Sequence, residues 1–373
     1  MFDFSDKGWV EFQDHVRSQA RELGTPAFGT FELTPLCNFA CKMCYVRLDP
    51  ERMRELGRLR TADEWIDMAR QALGAGTVGI TLTGGEVLTR PDFAEIYEGI
   101  VDQGALVSVL SNGSLVDGSI VRLFSTRPPA HLRFTLYGAS NETYELLCGV
   151  DNGFDRVMSG LRMLQDAGIR FSLAFTETSI NIQDFDGVCA IAQGFDVPIV
   201  FGTGLVPGVR GAANSVDNLR VEKPKVLRSN VSFGTNRTGG DCKDRLPAMH
   251  PFARCRSYRN SFWIDWNGDM EMCSFMSSCK AKPFEDGFAP AWRQLLEYLD
   301  GIRSPSECAD CNHRYLCAAC PGVLEAETGS PECVCDRMCS AARSLAQEVG
   351  RLKKGVEEHE KGIHGSYHEN LCD

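Results

Sequence analysis

CNFACKMCY, residues 37 to 45, sets three cysteines at spacings of three and two intervening residues, directly after the apolar run FGTFELTP at 28–35. Three thiols leave a metal centre incomplete, and the next histidine downstream is His131. Structural zinc takes four protein ligands. Three thiolates at this spacing can instead hold three irons of a [4Fe–4S] cube and leave the fourth iron to an outside ligand. The cube is the favoured reading and zinc the competing one.

Working outward, FGTFELTP opens a series of short β-branched or apolar runs: VGITLTGGE (78–86), LVSVLSNG (106–113), HLRFTLYG (131–138), IRFSLAFT (169–176) and VPIVFGTGL (197–205). Amphipathic stretches separate them. TADEWIDMARQALGAG carries Thr61 as N-cap, Glu64 at the third helical position, and Ile66, Ala69 and Leu73 on one face. RPDFAEIYEGIVDQG has Pro91 near a helix start and Gly104 past its end. In FDRVMSGLRMLQDAGI, Val157, Leu161 and Leu164 recur at helical spacing. Strands that alternate with helices imply a parallel sheet. Six of them predict an α/β fold with a partial (β/α)6 TIM-like barrel and a small cysteine-rich C-terminal domain. Ligand groups are expected at the carboxyl ends of the strands. TGGE, SNG and LYG fall at those ends, where each taken alone reads as a simple turn.

The expected organisation is a helical extension over 1–27, the barrel over 28–206, an irregular segment over 207–240, a cysteine-rich domain over 241–345 and a charged tail over 346–373. Net charge is −11 over 373 residues, which argues against a general nucleic-acid binder. No apolar run approaches the ~18 residues that span a bilayer, and the charged N-terminus lacks the apolar core of a signal peptide. A cytoplasmic location is expected. There the 17 cysteines read as ligands of metal or iron–sulfur centres rather than as a disulfide framework.

The downstream cysteines form a second group. In CRSYRNSFWIDWNGDMEMC (255–273) the WNGD turn separates two strand-like runs, so Cys273 ends the second arm of a hairpin. CADCNHRYLCAACPG supplies Cys308, Cys311, Cys317 and Cys320, followed by Cys333, Cys335 and Cys339. Paired CxxC motifs also bind zinc, which is the competing reading here. Asp265, Asp269 and Glu271 flank the hairpin and are expected at the surface. Cys148 and Cys189 read as buried apolar residues in or beside helices, His313 as a hydrogen-bond partner of a cluster sulfur, and His364, His368 and Cys372 as parts of a solvated tail.

CNFACKMCY resembles the CxxxCxxC motif of the radical S-adenosylmethionine (SAM) superfamily, and the resemblance extends over about 30–205. It implies a [4Fe–4S] cluster on Cys37, Cys41 and Cys44 with SAM on the open iron. One electron from the cluster then cleaves SAM to a 5′-deoxyadenosyl radical, which abstracts a substrate hydrogen. By the same resemblance Thr83, Gly84, Gly85 and Glu86 approach the methionine amino group, with the glycines permitting close backbone approach. Ser111 and Asn112 match a position that contacts the ribose, and Thr135 and Tyr137 are further candidates for the pocket. The family often has an aromatic before the third cysteine. Here that position is Met43, and Tyr45 follows the cysteine instead.

The later cysteines resemble a SPASM domain, which usually carries two auxiliary [4Fe–4S] clusters. The likeness implies Cys255, Cys273 and Cys320 for the nearer one, with Cys242 or Cys279 competing as its fourth ligand. It implies Cys308, Cys311 and Cys317 for the farther one, completed by Cys333, Cys335 or Cys339, with Cys339 favoured. Cys317 and Cys320 are two residues apart where three is common. Enzymes of this type mostly modify peptides or proteins, so the implied partners are a peptide or protein substrate and a flavodoxin or ferredoxin-type electron donor. A thioether or carbon–carbon crosslink on a ribosomal precursor is the expected reaction, and tetrapyrrole-type cofactor biosynthesis or non-catalytic electron transfer the alternatives. Sulfatase-maturing members commonly carry an acid after the hairpin cysteine, where this chain has Ser274. The short stretch before the first strand implies a separate leader-peptide-binding partner or a different docking place.

Overall fold

The structure, a computed structural model, describes residues 6–202, 204–221, 250–253, 255–314 and 316–347. Cys242, most of the expected irregular segment and the tail from 348, with His364, His368 and Cys372, lie outside the described residues. The chain divides into two compact units, Met1–Asp244 with Arg256–Gly301, and Arg245–Cys255 with Ile302–Asp373. The hairpin arms thus group with the barrel, while the expected cysteine-rich domain began at 241.

In the first unit helix α1 (Asp6–Leu23) precedes strand β1 (Phe28–Glu32). There follow α2 (Pro50–Leu56), α3 (Ala62–Gly74), β2 (Gly79–Thr83), α4 (Phe93–Val101), β3 (Leu106–Ser111), α5 (Gly118–Thr126) and β4 (His131–Thr135). Next come α6 (Asn141–Cys148), α7 (Gly153–Asp166), β5 (Ser172–Thr176), α8 (Phe185–Phe195) and β6 (Ile199–Gly202). The unit closes with β7 (Ser261–Ile264), β8 (Met270–Glu271) and α9 (Phe288–Gly301). Strand order is β6-β5-β4-β3-β2-β1-β7-β8. All neighbours are parallel except the antiparallel hairpin β7–β8. This is the open, mostly parallel sheet of a partial barrel, as the alternating pattern predicts, with the hairpin added beside β1.

The period of two along each strand sorts the side chains into two sets. Phe31, Ile80, Leu82, Val107, Val109, Leu132, Phe134, Leu173 and Phe175 are buried and meet the surrounding helices. Phe31 lies 4.9 Å from Trp65 of α3, and Phe262 4.9 Å from Phe288 of α9. Each such large side chain taken from water contributes roughly 1.5–3 kcal/mol. The opposite face is polar. Thr30 pairs with Thr81, which pairs with Ser108, while Glu32 pairs with Thr83. A sheet with one greasy and one polar face leaves the polar face for ligand.

Local signals in the sequence explain the helix boundaries. Thr61 and Glu64 form the reciprocal capping box of α3. Asp117 caps α5 through the Ser119 and Ile120 amides, and α6 stops at Gly149 in the left-handed conformation. Five of the six barrel strands, all but β5, end earlier than the apolar runs that announced them. Residues after Glu32, Thr83 and Ser111 leave the ladder and become the loops that carry the candidate site. In the second unit helix α10 (Pro321–Thr328) starts with Cys320 as its N-cap residue. Leu324, Cys335 and Met338 pack together there with Cys317 against them.

Candidate active site

The cysteine loop is fastened to the barrel on two sides. On the sheet side the Gly85 amide donates to Thr34 O at 2.7 Å and the Glu86 amide to Leu36 O at 2.9 Å. A Cβ on Gly84 would stand 2.4 Å from Thr34 O, and one on Gly85 2.3 Å from Leu36 O. No side chain fits that approach, so the two glycines are the joint between β2 and the residues leading into Cys37. On the helix side the Ala40 and Lys42 amides donate to Cys148 O and Leu147 O, at 2.8 and 2.9 Å. The loop thereby satisfies carbonyls at the end of α6 that have no partner within the helix.

The three thiols lie within mutual electrostatic reach, and each meets a hydrogen-bond donor. The Phe39 amide donates to Cys37 Sγ and the Arg47 amide to Cys44 Sγ, both at 3.3 Å. The Tyr137 hydroxyl reaches Cys41. Burial pushes the Cys37 thiol up to about 12 against the pull of the Phe39 amide, and Cys41 and Cys44 are neighbours that raise it further. Cys41 is raised by its contact with Cys148 and then by burial; burial likewise raises Cys44. Among the described residues no three His, Cys, Asp or Glu side chains converge on a single ion. Thiols that are grouped and donor-lined in this way suit a multi-iron cluster, whose ligands bind separate irons. These residues fit such a group.

Glu86, 1 % exposed, ties the cysteine loop to β3. Its Oε1 accepts from Ser111 Oγ at 2.8 Å and the Leu88 amide at 3.0 Å; its Oε2 accepts from the Asn112 amide at 2.6 Å. The Asn112 side-chain amide then donates to Asn38 Oδ1 at 2.9 Å and approaches Cys37 Sγ at 3.8 Å. Asn38 in turn donates to Ser114 Oγ at 2.8 Å. Ser111, Asn112 and Glu86 are thus brought together beside Cys37, while Thr83 and Thr135 end β2 and β4 with half-buried side chains. Asn38 and Ser114 were missed in the sequence. Their signal was adjacency, one following Cys37 and the other closing SNGS.

Residues 31–188 match the profile of the radical SAM superfamily. They are a radical SAM domain. The chain is 23 % identical over 330 residues to the AdoMet-dependent heme synthase of Methanosarcina barkeri, covering 82 % of this chain and 93 % of that protein. It is 26 % identical over 343 residues to the mycofactocin maturase MftC of Mycolicibacterium smegmatis, covering 86 % and 85 %. In fold it resembles Streptococcus suis SuiB bound to its precursor peptide SuiA, with a TM-score of 0.65, 17 % identity, and coverage of 90 % of this chain and 80 % of that one.

In the radical SAM domain Met43 and Tyr45 serve the packing of the loop. Met43 lies against Leu205, Val216 and Leu219 together with Ile180. Tyr45 meets the Phe275 ring at 5.5 Å. The segment after β6 folds back over them: the Val209 amide donates to Tyr45 O at 2.9 Å, and Asn214 Nδ2 to Cys44 O at 2.5 Å.

That segment also places Arg210 between two carboxylates, an arrangement unread in the sequence. Arg210 Nη2 reaches Glu32 Oε2 at 2.7 Å; Nη1 reaches Glu271 Oε2 at 3.2 Å and Ser274 O at 2.7 Å. Burial pushes Glu32 up to about 7 against the pull of Arg210, and drives Glu271 well above the carboxylate range. The expectation that Asp265, Asp269 and Glu271 are exposed is corrected here, since all three are buried. Asp265 Oδ1 folds the WNGD turn by accepting from the Asn267 and Asp269 amides at 3.0 and 2.9 Å, and Asp269 binds Lys282. Polar composition suggested a surface turn, but these side chains are consumed in holding it.

Cys273 and Cys279 belong to the first unit, Cys255 and Cys320 to the second. Within the second unit Cys308, Cys311 and Cys317 all act electrostatically on Cys339. Cys333 is exposed and Cys335 packs in the apolar cluster around Leu324. His313 offers its carbonyl to the Cys317 amide at 3.1 Å. Cys148 is fully buried at the end of α6, as expected, and Cys189 is half-buried in α8. No helix among the described residues is long and apolar enough to cross a membrane.

Proposed function

We propose that this chain is a radical SAM maturase that oxidatively modifies or crosslinks a ribosomally made peptide or protein, through sulfur or carbon. The observation that carries the reading is the Cys37, Cys41 and Cys44 loop, pinned by Gly84–Gly85 at the carboxyl end of the strands, above a polar inner face. MftC is named a maturase, and SuiB is seen with its precursor peptide. Cys37, Cys41 and Cys44 would hold the cluster, and Thr83, Gly84, Gly85, Glu86, Ser111, Asn112 and Thr135 would line the SAM site. When bound, that pair supplies a one-electron reduction of SAM and hence a carbon radical that takes a hydrogen atom from substrate.

The chain's own residues set the geometry. The backbone joint at Gly84–Gly85 fixes the cluster loop against β2. Glu86 spends its oxygens on Ser111, Leu88 and Asn112, so it orients the Ser111–Asn112 corner rather than moving protons. Tyr45, Phe275 and the 205–219 segment cover the loop and exclude water, which protects a radical from quenching.

In the second unit, Cys308, Cys311, Cys317 and Cys339 form the best-supported ligand set for an auxiliary cluster. The set of Cys255, Cys273 and Cys320 rests on its sequence pattern. A flavodoxin or ferredoxin-type donor and a cytoplasmic setting complete the reading. The heme synthase relative, aligned over nearly its whole length, supports a second reading in which the substrate is a tetrapyrrole-type side chain.

Mass spectrometry separates the two. Reconstituted enzyme is incubated anaerobically with SAM, reductant and short peptides encoded near its gene. A peptide that loses two hydrogens only when SAM is present is the expected result. Unchanged peptides together with an oxidised tetrapyrrole side chain would overturn it.

A further inference from the structure

The corner after β3 holds a closed ring of side-chain hydrogen bonds, and one backbone amide fixes its direction. Asn112, 4 % exposed, folds its own Oδ1 back onto Ser114, accepting from the Ser114 amide at 2.9 Å and from Ser114 Oγ at 2.7 Å. A backbone N–H can only donate, so the oxygen of the Asn112 side chain faces Ser114 and its nitrogen faces the other way. Gly113, at φ +78°, makes the turn between them. Asn112 Nδ2 then donates to Asn38 Oδ1 at 2.9 Å, and Asn38 Nδ2 donates to Ser114 Oγ at 2.8 Å, which closes the ring. The Asn112 backbone is held as well, its amide donating to Glu86 Oε2 at 2.6 Å.

A side-chain amide nitrogen carries two hydrogens. With one spent on Asn38, the second is left for Cys37 Sγ, 3.8 Å away. Cys37 thus meets two donors, the Phe39 backbone amide at 3.3 Å and Asn112 Nδ2, whereas Cys44 meets the Arg47 backbone amide. The ring engages the rest of the Asn112 amide within the protein, so its remaining hydrogen is aimed at the sulfur before any SAM arrives. A hydrogen bond to a cluster sulfur favours the oxidation state with more negative charge there, and the reduced cluster carries one electron more. In a buried corner, water screens that effect little.

We propose that Asn112, oriented by Asn38 and Ser114, is a positioning residue that donates to Cys37 Sγ and raises the reduction potential of the cluster. This rests on the reading of Cys37, Cys41 and Cys44 as cluster ligands. It adds to that reading a side chain that controls how readily the cluster accepts its electron. The role is separate from SAM binding, because it acts when SAM is absent.

The test is an anaerobic redox titration of the reconstituted full-length protein without SAM, followed by electron paramagnetic resonance. The signal that changes when SAM is added to a parallel sample marks the N-terminal cluster. Asn112→Leu is close in size and removes both hydrogens. At a fixed potential its ratio of reduced to oxidised cluster is expected to fall about five-fold, the worth of one hydrogen bond. That is a downward shift of ~40 mV at about 59 mV per decade. Ser114→Ala keeps the backbone donor but opens the ring, and should move the potential the same way by less. A merely structural role would lower iron content and leave the potential of the loaded cluster unchanged. A ribose contact alone would weaken SAM affinity and also leave that potential unchanged, and either result would overturn the proposal. Wild-type protein carrying 15N in its asparagine side chains asks the same question without a variant. A coupling from that nitrogen to the reduced cluster is expected without SAM, and its absence would contradict the proposal. If no signal responds to SAM, the cluster reading itself fails, which is distinct from a SAM-responsive cluster whose potential ignores Asn112.

Discussion

Gly84 and Gly85 are where a single atom decides the most. A methyl group at either position meets a carbonyl of the segment that leads into Cys37, at 2.4 or 2.3 Å. Backbone cannot swing aside as a side chain does, so the loop itself must move. Overpacking of this kind costs ~1–3 kcal/mol. Gly85→Ala is expected to weaken SAM binding roughly ten-fold or more by the same energy and to lower iron retention, read by calorimetry and by iron assay of the purified protein. Wild-type SAM affinity in that variant would remove the joint from the account. The glycines were legible in the sequence through their likeness to the family's TGGE stretch, since a Gly-Gly pair closing a strand taken alone reads as a turn. Asn38 and Ser114 were not, since single polar residues carry no pattern until the fold sets them beside Asn112. Arg210 escaped for a related reason. It sits in a stretch without periodicity, and its partners Glu32 and Glu271 are far away in sequence.

At the scale of elements, the alternation of apolar runs and amphipathic stretches was readable because strand and helix periods differ, two against 3.6. All six barrel strands fall inside the runs that announced them, and each is shorter than its run. The excess is informative: LTP after Glu32, GGE after Thr83 and NG after Ser111 look like strand continuations yet turn into the loops of the site. Helix α3 shows the local rules at full strength. Thr61→Ala removes the side-chain half of the capping box and should cost about 1 kcal/mol, measured by urea unfolding. Glu64 adds a pH signature. Hydrogen bonds from Arg58, and then the Thr61 amide, hold its carboxyl down at about 2 against an ordinary 4.5. Its contribution is therefore complete above pH 4.5 and lost as pH falls through 2. The stability gap between wild type and Glu64→Gln should shrink over that window, and a gap that stayed constant would count against this pairing.

For the whole molecule, the sequence separated an N-terminal cysteine trio from a later cysteine group, and the contrast survives in the structure. The trio stands on a loop built into the barrel, fastened to β2, β3 and α6 at once. The later cysteines divide between the units, with Cys308, Cys311, Cys317 and Cys339 grouped by their mutual electrostatics. Spacing alone could favour Cys339 over Cys333 and Cys335 only by likeness, because ligand choice within a short cysteine-rich run depends on where the turns point. The hairpin acids were misjudged for the opposite reason, a polar turn being the ordinary surface feature until the surrounding residues bury it. The account as a whole depends on the first trio starting the chemistry. The most direct measurement is 5′-deoxyadenosine release from SAM under anaerobic reduction, comparing the reconstituted wild-type protein with a variant in which Cys37, Cys41 and Cys44 are all alanine. The wild type is predicted to release it and the variant to release none, and cleavage that persisted without the three cysteines would contradict the account.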